Sequence, residues 1–461
     1  MSRLVVIGGS DAGISAALRA REKDPEIEII VLTADRSPNF SICGIPFYLS
    51  REMPDRCKQV YQAADEMVKR EGVHLLVDHR AESIDSQNKT ITIEEPGGSR
   101  RTVEYDKLIL CTGAGTVPPK IQGTNLPGVF VLRWVEESLA LRRFLDEKKP
   151  ASVVIVGGGA IGMEMVDALS GRGMEVTVVE CADTVLPNLD PEPGQQVGRI
   201  LEHHGVHVVM RTWVDTIEQA GSILRARGGD DFYVDAELVL VAAGPSPNIG
   251  LAAATGVQTG DFGAIRVTER METNIADIYA AGDCAETRHN LTGRYDYLPF
   301  GATAHKQGRT AGENAAGGHH DYRGSLGTRV LKIFDWMAAW TGLPDREAQD
   351  AGFDPLTIAC AYWDHRECDS VAHKLTLRMT GDRASKRVLG VQIIGHHGAE
   401  ISKRVDIIAT AIFNGMKMDE IGDLDLSCTL LSGPWDPLQI AAQEWMKSTN
   451  VSIGTSLTRR S

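Results

Sequence analysis

The chain has 461 residues, 43% of them hydrophobic and 24% charged, with a formal net charge of -14. That length exceeds one ordinary core and implies two or three domains. The acidic balance argues against nucleic acid or an anionic membrane as a main partner, because both are bound through basic patches.

The start, Met1-Ser2-Arg3-Leu4-Val5-Val6-Ile7-Gly8, lacks the long apolar core and small-residue cleavage site of a secretory signal, and no later apolar run approaches membrane-spanning length. A cytoplasmic protein acting on small soluble molecules is expected. The eight cysteines, at 43, 57, 111, 181, 284, 360, 368 and 428, form no CxxC or metal-finger spacing, so neither a disulfide framework nor a metal site is expected. Cys360 and Cys368 read as structural thiols.

Leu4 to Ile7 reads as a strand, followed by the turn Gly8-Gly9-Ser10-Asp11-Ala12-Gly13 and a helix from Ile14 to about Lys23. A second strand, Ile27 to Leu32, completes a βαβ unit. Such a turn offers backbone N–H groups and a helix N-terminus to a pyrophosphate, which makes Gly8, Ser10 and Gly13 candidate cofactor contacts. Ser10 stands where GxGxxG has its second glycine. Thr33 takes the place of the ribose-binding acid, with Asp35 as a substitute. Asp11 either caps the following helix or handles protons beside the site. Arg19 and Arg21, on the same helix, are either a solvated face or partners for a phosphorylated tail.

The stretch Asn39-Phe40-Ser41-Ile42-Cys43-Gly44-Ile45-Pro46-Phe47-Tyr48 places one cysteine at the mouth of a helix. Unpaired N–H groups and the helix dipole there lower a thiol pKa and favour the thiolate that does redox and nucleophilic work. Pro46 suits a first helical turn, where its missing N–H has no partner to lose. The alternative is a buried structural thiol.

Tyr105 to Leu110 runs as a strand into the tight turn Cys111-Thr112-Gly113-Ala114, which singles out Thr112 and Gly113. Ser152 to Val156 then leads into Gly157-Gly158-Gly159-Ala160-Ile161-Gly162 and a helix ending near Gly171. Gly157, Gly159 and Gly162 fit the dinucleotide fingerprint. The strand Glu175 to Val179 ends at Glu180, placed to accept from both hydroxyls of an adenosine ribose. No Arg or Lys follows immediately to meet a 2′-phosphate, so NADH is preferred over NADPH.

Leu238 to Val241 followed by Ala242-Ala243-Gly244 repeats the strand-and-turn pattern. Asn274 to Ala281 delivers Gly282 and Asp283 at a strand's carboxyl end. From about Ser325 the pattern becomes β-rich, with strands Ala372 to Met379 and Val388 to Ile394 and a helix from Glu400 to Phe413. His396 and His397 would point apart on a strand and read as turn residues, not a metal pair.

Taken together, two GxGxxG-like turns, two Thr-Gly or Ala-Gly turns and Gly282-Asp283 resemble the FAD-dependent pyridine nucleotide-disulfide oxidoreductases. The run Asn39-Phe40-Ser41-Ile42-Cys43-Gly44-Ile45-Pro46 resembles the S-F-x-x-C-G-x-P pattern of the family's single-cysteine branch of coenzyme A disulfide reductases, persulfide reductases, NADH oxidases and NADH peroxidases. Pro299 to Arg309, which contains Lys306, and Val405 to Ile412 also resemble that branch.

The resemblance implies an α/β fold with two Rossmann-like dinucleotide-binding domains plus a C-terminal α+β dimerisation domain. It assigns FAD to residues 1–115 and 245–324, NAD(P)H to 116–244, and a homodimer interface to 325–461. It also implies that Asp283 contacts the ribityl chain, and that electrons pass from NADH through FAD to Cys43 and on to a small disulfide, persulfide or polysulfide.

Three departures bear on the substrate. Asp11 replaces the glycine-turn histidine of the oxidases and peroxidases. Asn39 and Ile42 replace the serine and asparagine that touch coenzyme A in the coenzyme A disulfide reductases. Cys428 falls where relatives carry a tyrosine that reaches the partner subunit, which makes it a candidate second thiol. The alternative expectation is an NADH oxidase, or a flavin-dependent reductase of oxygen or a soft metal or metalloid.

Overall fold

Strand Arg3–Ile7 lies at the centre of a five-stranded parallel sheet ordered His74–Leu76, Glu28–Leu32, Arg3–Ile7, Lys107–Leu110, Ile278–Ala280. The computed structural model describes residues 2–36, 38, 44–50, 71–116, 121–132, 135–229, 231–242, 244–365, 372–427 and 436–457. Leu4, Val5 and Val6 are fully buried. An unbroken apolar run of this kind belongs to a parallel strand covered on both faces, because the connecting helices lie above and below it.

The first helix runs Asp11–Lys23, three residues earlier than the apolar periodicity predicts. Ser10 is its N-cap, and the Ile14 N–H makes the first intrahelical bond, to the Ser10 carbonyl at 2.9 Å. Asp11, Ala12 and Gly13 therefore belong to the helix while their amides lack intrahelical acceptors. Arg21 and Lys23 in the last turn complement the dipole.

A second sheet of the same design follows, ordered His207–Val209, Glu175–Val179, Ser152–Val156, Leu238–Val241, Val129–Val131 and again parallel throughout. The chain leaves and re-enters the first unit through one short antiparallel pair, Ala114–Thr116 with Pro245–Pro247.

Helix Gly301–Ala315 returns to the first unit and packs along Asp11–Lys23 at a distance only glycine permits. A Cβ on Gly308 would lie 2.2 Å from the Ala12 carbonyl oxygen, and one on Gly312 would lie 2.1 Å from that of Ala16. This seam brings residues separated by almost 300 positions to the first glycine turn.

The C-terminal part is an antiparallel sheet ordered Arg329–Ile333, Trp336–Gly342, Val388–His396, Lys374–Asp382, Pro355–Trp363. Helix Ile401–Phe413 packs against its central strands. Helix Pro437–Leu457 covers its edge with the fully buried Trp445, whose indole N–H donates to the Leu356 carbonyl at 2.8 Å. Asp190 ties this sheet to the second unit, accepting from Gln392 Nε2 at 2.8 Å and from Arg378 Nε at 3.0 Å. No helix among the described residues is long and apolar enough to cross a membrane.

Candidate functional site

Both glycine turns have the same construction. Gly8 sits at φ +118° and Gly157 at φ +114°, where an L side chain is strained. A Cβ on Gly13 would stand 1.9 Å from the Gly8 carbonyl oxygen, and one on Gly162 would stand 2.1 Å from that of Gly157. The third glycine therefore lets the helix start close against the first strand. Neither helix is capped by a side chain, so both N-termini keep amide donors for an anion.

Around the Cβ position of Gly159 there is open space within 4 Å, where a phosphate can approach the backbone. Ser10 occupies the equivalent position with φ -104° and ψ -163°, close to the -74° and -173° of Gly159. Its extended backbone suits any residue, which explains why the imperfect fingerprint still builds the turn. These cradles fit two dinucleotide pyrophosphates.

Glu180 and Thr33 hold equivalent places, each touching the Cβ position of the middle glycine, at 3.1 Å from Gly158 and 3.0 Å from Gly9. The buried Glu180 carboxylate accepts from the Gly158 N–H at 2.5 Å and the Ala182 N–H at 2.8 Å. A carboxylate has about four acceptor positions, so it braces the turn and keeps capacity for ribose hydroxyls. Arg211 is a basic group beside this acid that adjacency in sequence does not reveal. Its backbone N–H donates to the Ala182 carbonyl at 3.0 Å and its guanidinium pairs with Asp183 at 2.6 Å. In the first unit, partial burial, followed by the nearby Glu136, raises the Asp35 carboxyl above the ordinary range.

Thr112 and Gly113 stitch the crossover. Thr112 Oγ1 donates to the Asn248 carbonyl at 2.7 Å, Asn248 Nδ2 donates to the Thr112 carbonyl at 3.0 Å, and the Asn248 N–H donates to the Gly113 carbonyl at 2.9 Å. Gly282, at φ +83°, lies so near Ala12 that a Cβ would come 2.8 Å from the alanine methyl. Its N–H donates to Gln307 Oε1 at 2.9 Å, and Gln307 Nε2 donates to Thr287 Oγ1 at 2.9 Å and the Glu286 carbonyl at 3.2 Å. Gln307 is fully buried and holds the Gly282-Asp283 element on helix Gly301–Ala315, a role that sequence reasoning missed. Asp283 is half-buried, its carbonyl accepting from the Tyr297 hydroxyl at 2.9 Å, and Lys306 is exposed on the same helix as Gln307.

Several sequence expectations change. Asp11 is the first helical residue, not the cap, and its carboxylate stands 3.4 Å from His305 Nε2. A histidine from another helix therefore stands beside the turn. Arg19 is paired with Glu22 and Glu313, and Arg21 donates to the Glu71, Pro25 and Gly72 carbonyls, so these cations serve the fold. His396 ends a strand and His397 opens a short helical turn, which brings their rings to 4.3 Å instead of apart; His373 stacks on His396 at 3.8 Å. Burial pushes the Cys360 thiol up to about 12. Asn39, Ile42, Cys43, Cys57, Cys368 and Cys428 lie outside the described residues.

The segment after Cys43 is described from Gly44. Helix Ile45–Ser50 has Pro46 in its first turn, as the sequence predicts. Its last carbonyls are held from the second unit: Arg142 donates to that of Tyr48, and Arg172 to that of Leu49 at 2.9 Å. Pro46, Phe47 and Ser50 line a cavity with Glu164, Asp167 and Ala168 of helix Ala160–Ser170 and with Lys332, which pairs with Asp167 at 2.8 Å. Burial raises the Glu164 carboxyl above its ordinary range. Glu164 and Asp167, three residues apart, share this face of the fingerprint helix.

The fold and its two cradles define an oxidoreductase of the two-dinucleotide class. Residues 2–308 match the model of the pyridine nucleotide-disulphide oxidoreductases, and residues 329–426 match the dimerisation domain of the same family. The chain belongs to that family, whose members are flavoenzymes using FAD and NAD(P)H.

A coenzyme A polysulfide/persulfide reductase of Pyrococcus horikoshii is 34% identical over 96% of this chain and 98% of its own. An NADH oxidase of Methanocaldococcus jannaschii is 32% identical over 96% and 99%. The solved NAD-dependent persulfide reductase from A. fulgidus superimposes with a TM-score of 0.91 at 34% identity, covering 97% of this chain and 84% of that one.

Proposed function

We propose that the protein passes electrons from NADH to Cys43 and on to a small disulfide, persulfide or polysulfide, with coenzyme A derivatives the first substrates to test. The observation that carries this is the meeting of three parts at one cavity: the segment that follows Cys43, the helix that opens from the second glycine turn, and the C-terminal sheet. Bound FAD would accept hydride from NADH and supply the two electrons that return a mixed disulfide at Cys43 to the thiol.

The chain's own residues do the rest. The turns around Gly8, Ser10 and Gly13 and around Gly157, Gly159 and Gly162 hold pyrophosphates. Asp35 and Glu180 take adenosine riboses, and Thr112, Gly113, Gly282, Asp283 and Lys306 complete the FAD site. NADH is favoured over NADPH because Glu180 would repel a 2′-phosphate and Asp183 already neutralises Arg211. Cys43 attacks as the thiolate, forming one S–S bond, breaking another and releasing a thiolate.

The division into FAD, NAD(P)H and interface regions at 1–115 with 245–324, 116–244 and 325–461 belongs to this reading. So do a homodimer, a cytoplasmic location, and Cys428 as a second thiol. The relatives' names support the sulfur chemistry. A second reading, reduction of oxygen, is favoured by the His305 imidazole beside Asp11.

The test is Cys43→Ser. Disulfide and polysulfide reduction should vanish, while bound FAD and NADH-to-dye activity persist; unchanged disulfide reduction would refute the assignment. Anaerobic NADH oxidation against coenzyme A disulfide, coenzyme A persulfide, polysulfide and glutathione disulfide, with oxygen assayed separately, selects the acceptor.

A further inference from the structure

His305 lies one turn into helix Gly301–Ala315 and is exposed, as is Lys306, with Ala304 and Gln307 buried on either side. Its Nδ1 stands 2.7 Å from Ser15 Oγ, and its Nε2 stands 3.4 Å from Asp11 Oδ1, both on the facing helix. In the cation both ring nitrogens carry hydrogens, Nδ1 towards the Ser15 hydroxyl oxygen and Nε2 towards the Asp11 carboxylate. Loss of the Nε2 proton leaves the Nδ1–H to Ser15 Oγ bond in place, so Ser15 holds the ring in either protonation state.

The surroundings place this trio at the FAD cradle. Asp11 is the first residue of the helix opening from the first glycine turn. Gly301, where the second helix begins, has its Cβ position 3.2 Å from Asp11 Oδ2. Other charges along the seam compensate one another further on, as Arg19 pairs with Glu22 and Glu313 and Arg309 meets Glu22 at 3.4 Å; Lys306 neighbours His305 and is exposed. Asp11 is the carboxylate that faces the ring, and its hydrogen bond and charge raise the His305 pKa above the ordinary value against an opposing desolvation.

We propose that His305 is the proton donor of this site, with Asp11 and Ser15 as its positioning residues. The inference rests on the sulfur chemistry proposed above. When a thiolate attacks the substrate's S–S bond, the new S–S bond forms, the old one breaks and the departing sulfur keeps the electron pair. The His305 imidazolium gives that sulfur its Nε2 proton, the product leaves as a thiol, and solvent reprotonates the ring.

The experiment compares wild type with His305→Asn, Asp11→Asn and Ser15→Ala across pH. With polysulfide or coenzyme A disulfide as acceptor, kcat/KM of wild type should fall on an alkaline limb. His305→Asn should abolish that limb and lower kcat/KM by about 100–10,000-fold at neutral pH, and Asp11→Asn should move the limb to lower pH. Flavin reduction by NADH in stopped flow should change far less than acceptor turnover in all three.

Independently of turnover, C2–H exchange at His305 followed by mass spectrometry should report a raised pKa that drops in Asp11→Asn. An alkaline limb retained in His305→Asn, or a His305 pKa indifferent to Asp11→Asn, overturns the relay. Full disulfide reduction by Cys43→Ser overturns the underlying function instead, so the two failures are distinguishable.

Discussion

Replacing Gln307 by leucine tests how the Gly282-Asp283 element is held. The amide is fully buried and makes three hydrogen bonds, accepting from the Gly282 N–H and donating to Thr287 Oγ1 and the Glu286 carbonyl. Leucine fills nearly the same volume but satisfies none of them. An orphaned buried donor costs about 1–3 kcal/mol, and losing an acceptor's partner costs less because a carbonyl or hydroxyl finds other contacts.

A total of about 2–4 kcal/mol is expected, and the element it loosens is the one that carries Asp283. If roughly half of that falls on the FAD-bound state, affinity for FAD drops by about 5–30-fold, at about 1.4 kcal/mol per tenfold. The assay is the Kd for FAD by flavin fluorescence on stripped and reloaded protein, with thermal unfolding of both forms. Thr287→Val, which removes one of the three bonds, should show a smaller loss in both. An FAD Kd and melting temperature equal to wild type in Gln307→Leu would refute the reasoning, because the buried amide would then carry none of the element's stability.

Gly162→Val drives a side chain into the Gly157 carbonyl, 2.1 Å from the Cβ position, and pushes the fingerprint helix off its strand. Saturation with NADH should be lost while FAD content by absorbance remains near one per chain, and NADH saturation at wild-type concentrations would contradict the cradle. Asp277 sits at φ +67° with its carboxyl held below the ordinary range by hydrogen bonds to Lys107 and Lys89. A depressed folded-state pKa stabilises above the unfolded value, about 3.9, and that gain is lost as pH falls through the folded value. Asp277→Asn should therefore lower the melting temperature at pH 7, and the gap should close towards pH 3. A gap that widens on acidification would reverse the sign.

The α/β plan was legible in the sequence because its signals are local. The strands Ser152–Val156, Glu175–Val179 and Leu238–Val241 appear within the bounds the apolar runs predict, since a parallel strand covered on both faces is a near-continuous apolar run. The glycines at 8, 13, 157 and 162 declared themselves because no other residue fits a positive φ or a carbonyl about 2 Å from its Cβ. Motif order then carried the family, and with it FAD and the pyridine nucleotide.

Tertiary structure alone decided what lies opposite what. Asp11 was visible as an acid in the turn, but its partner His305 is 294 positions away, brought there because Gly308 and Gly312 let two helices touch through their backbones. Gln307 looked like one polar residue in a helix until burial gave it three bonds. The ion pair of Arg211 with Asp183, the meeting of Glu164 and Lys332 at one cavity and the stacked rings of His373 and His396 follow the same rule. Periodicity reports which face of an element is buried; it holds no record of the side chain waiting on the other element, because that pairing is set by packing between segments far apart in the chain.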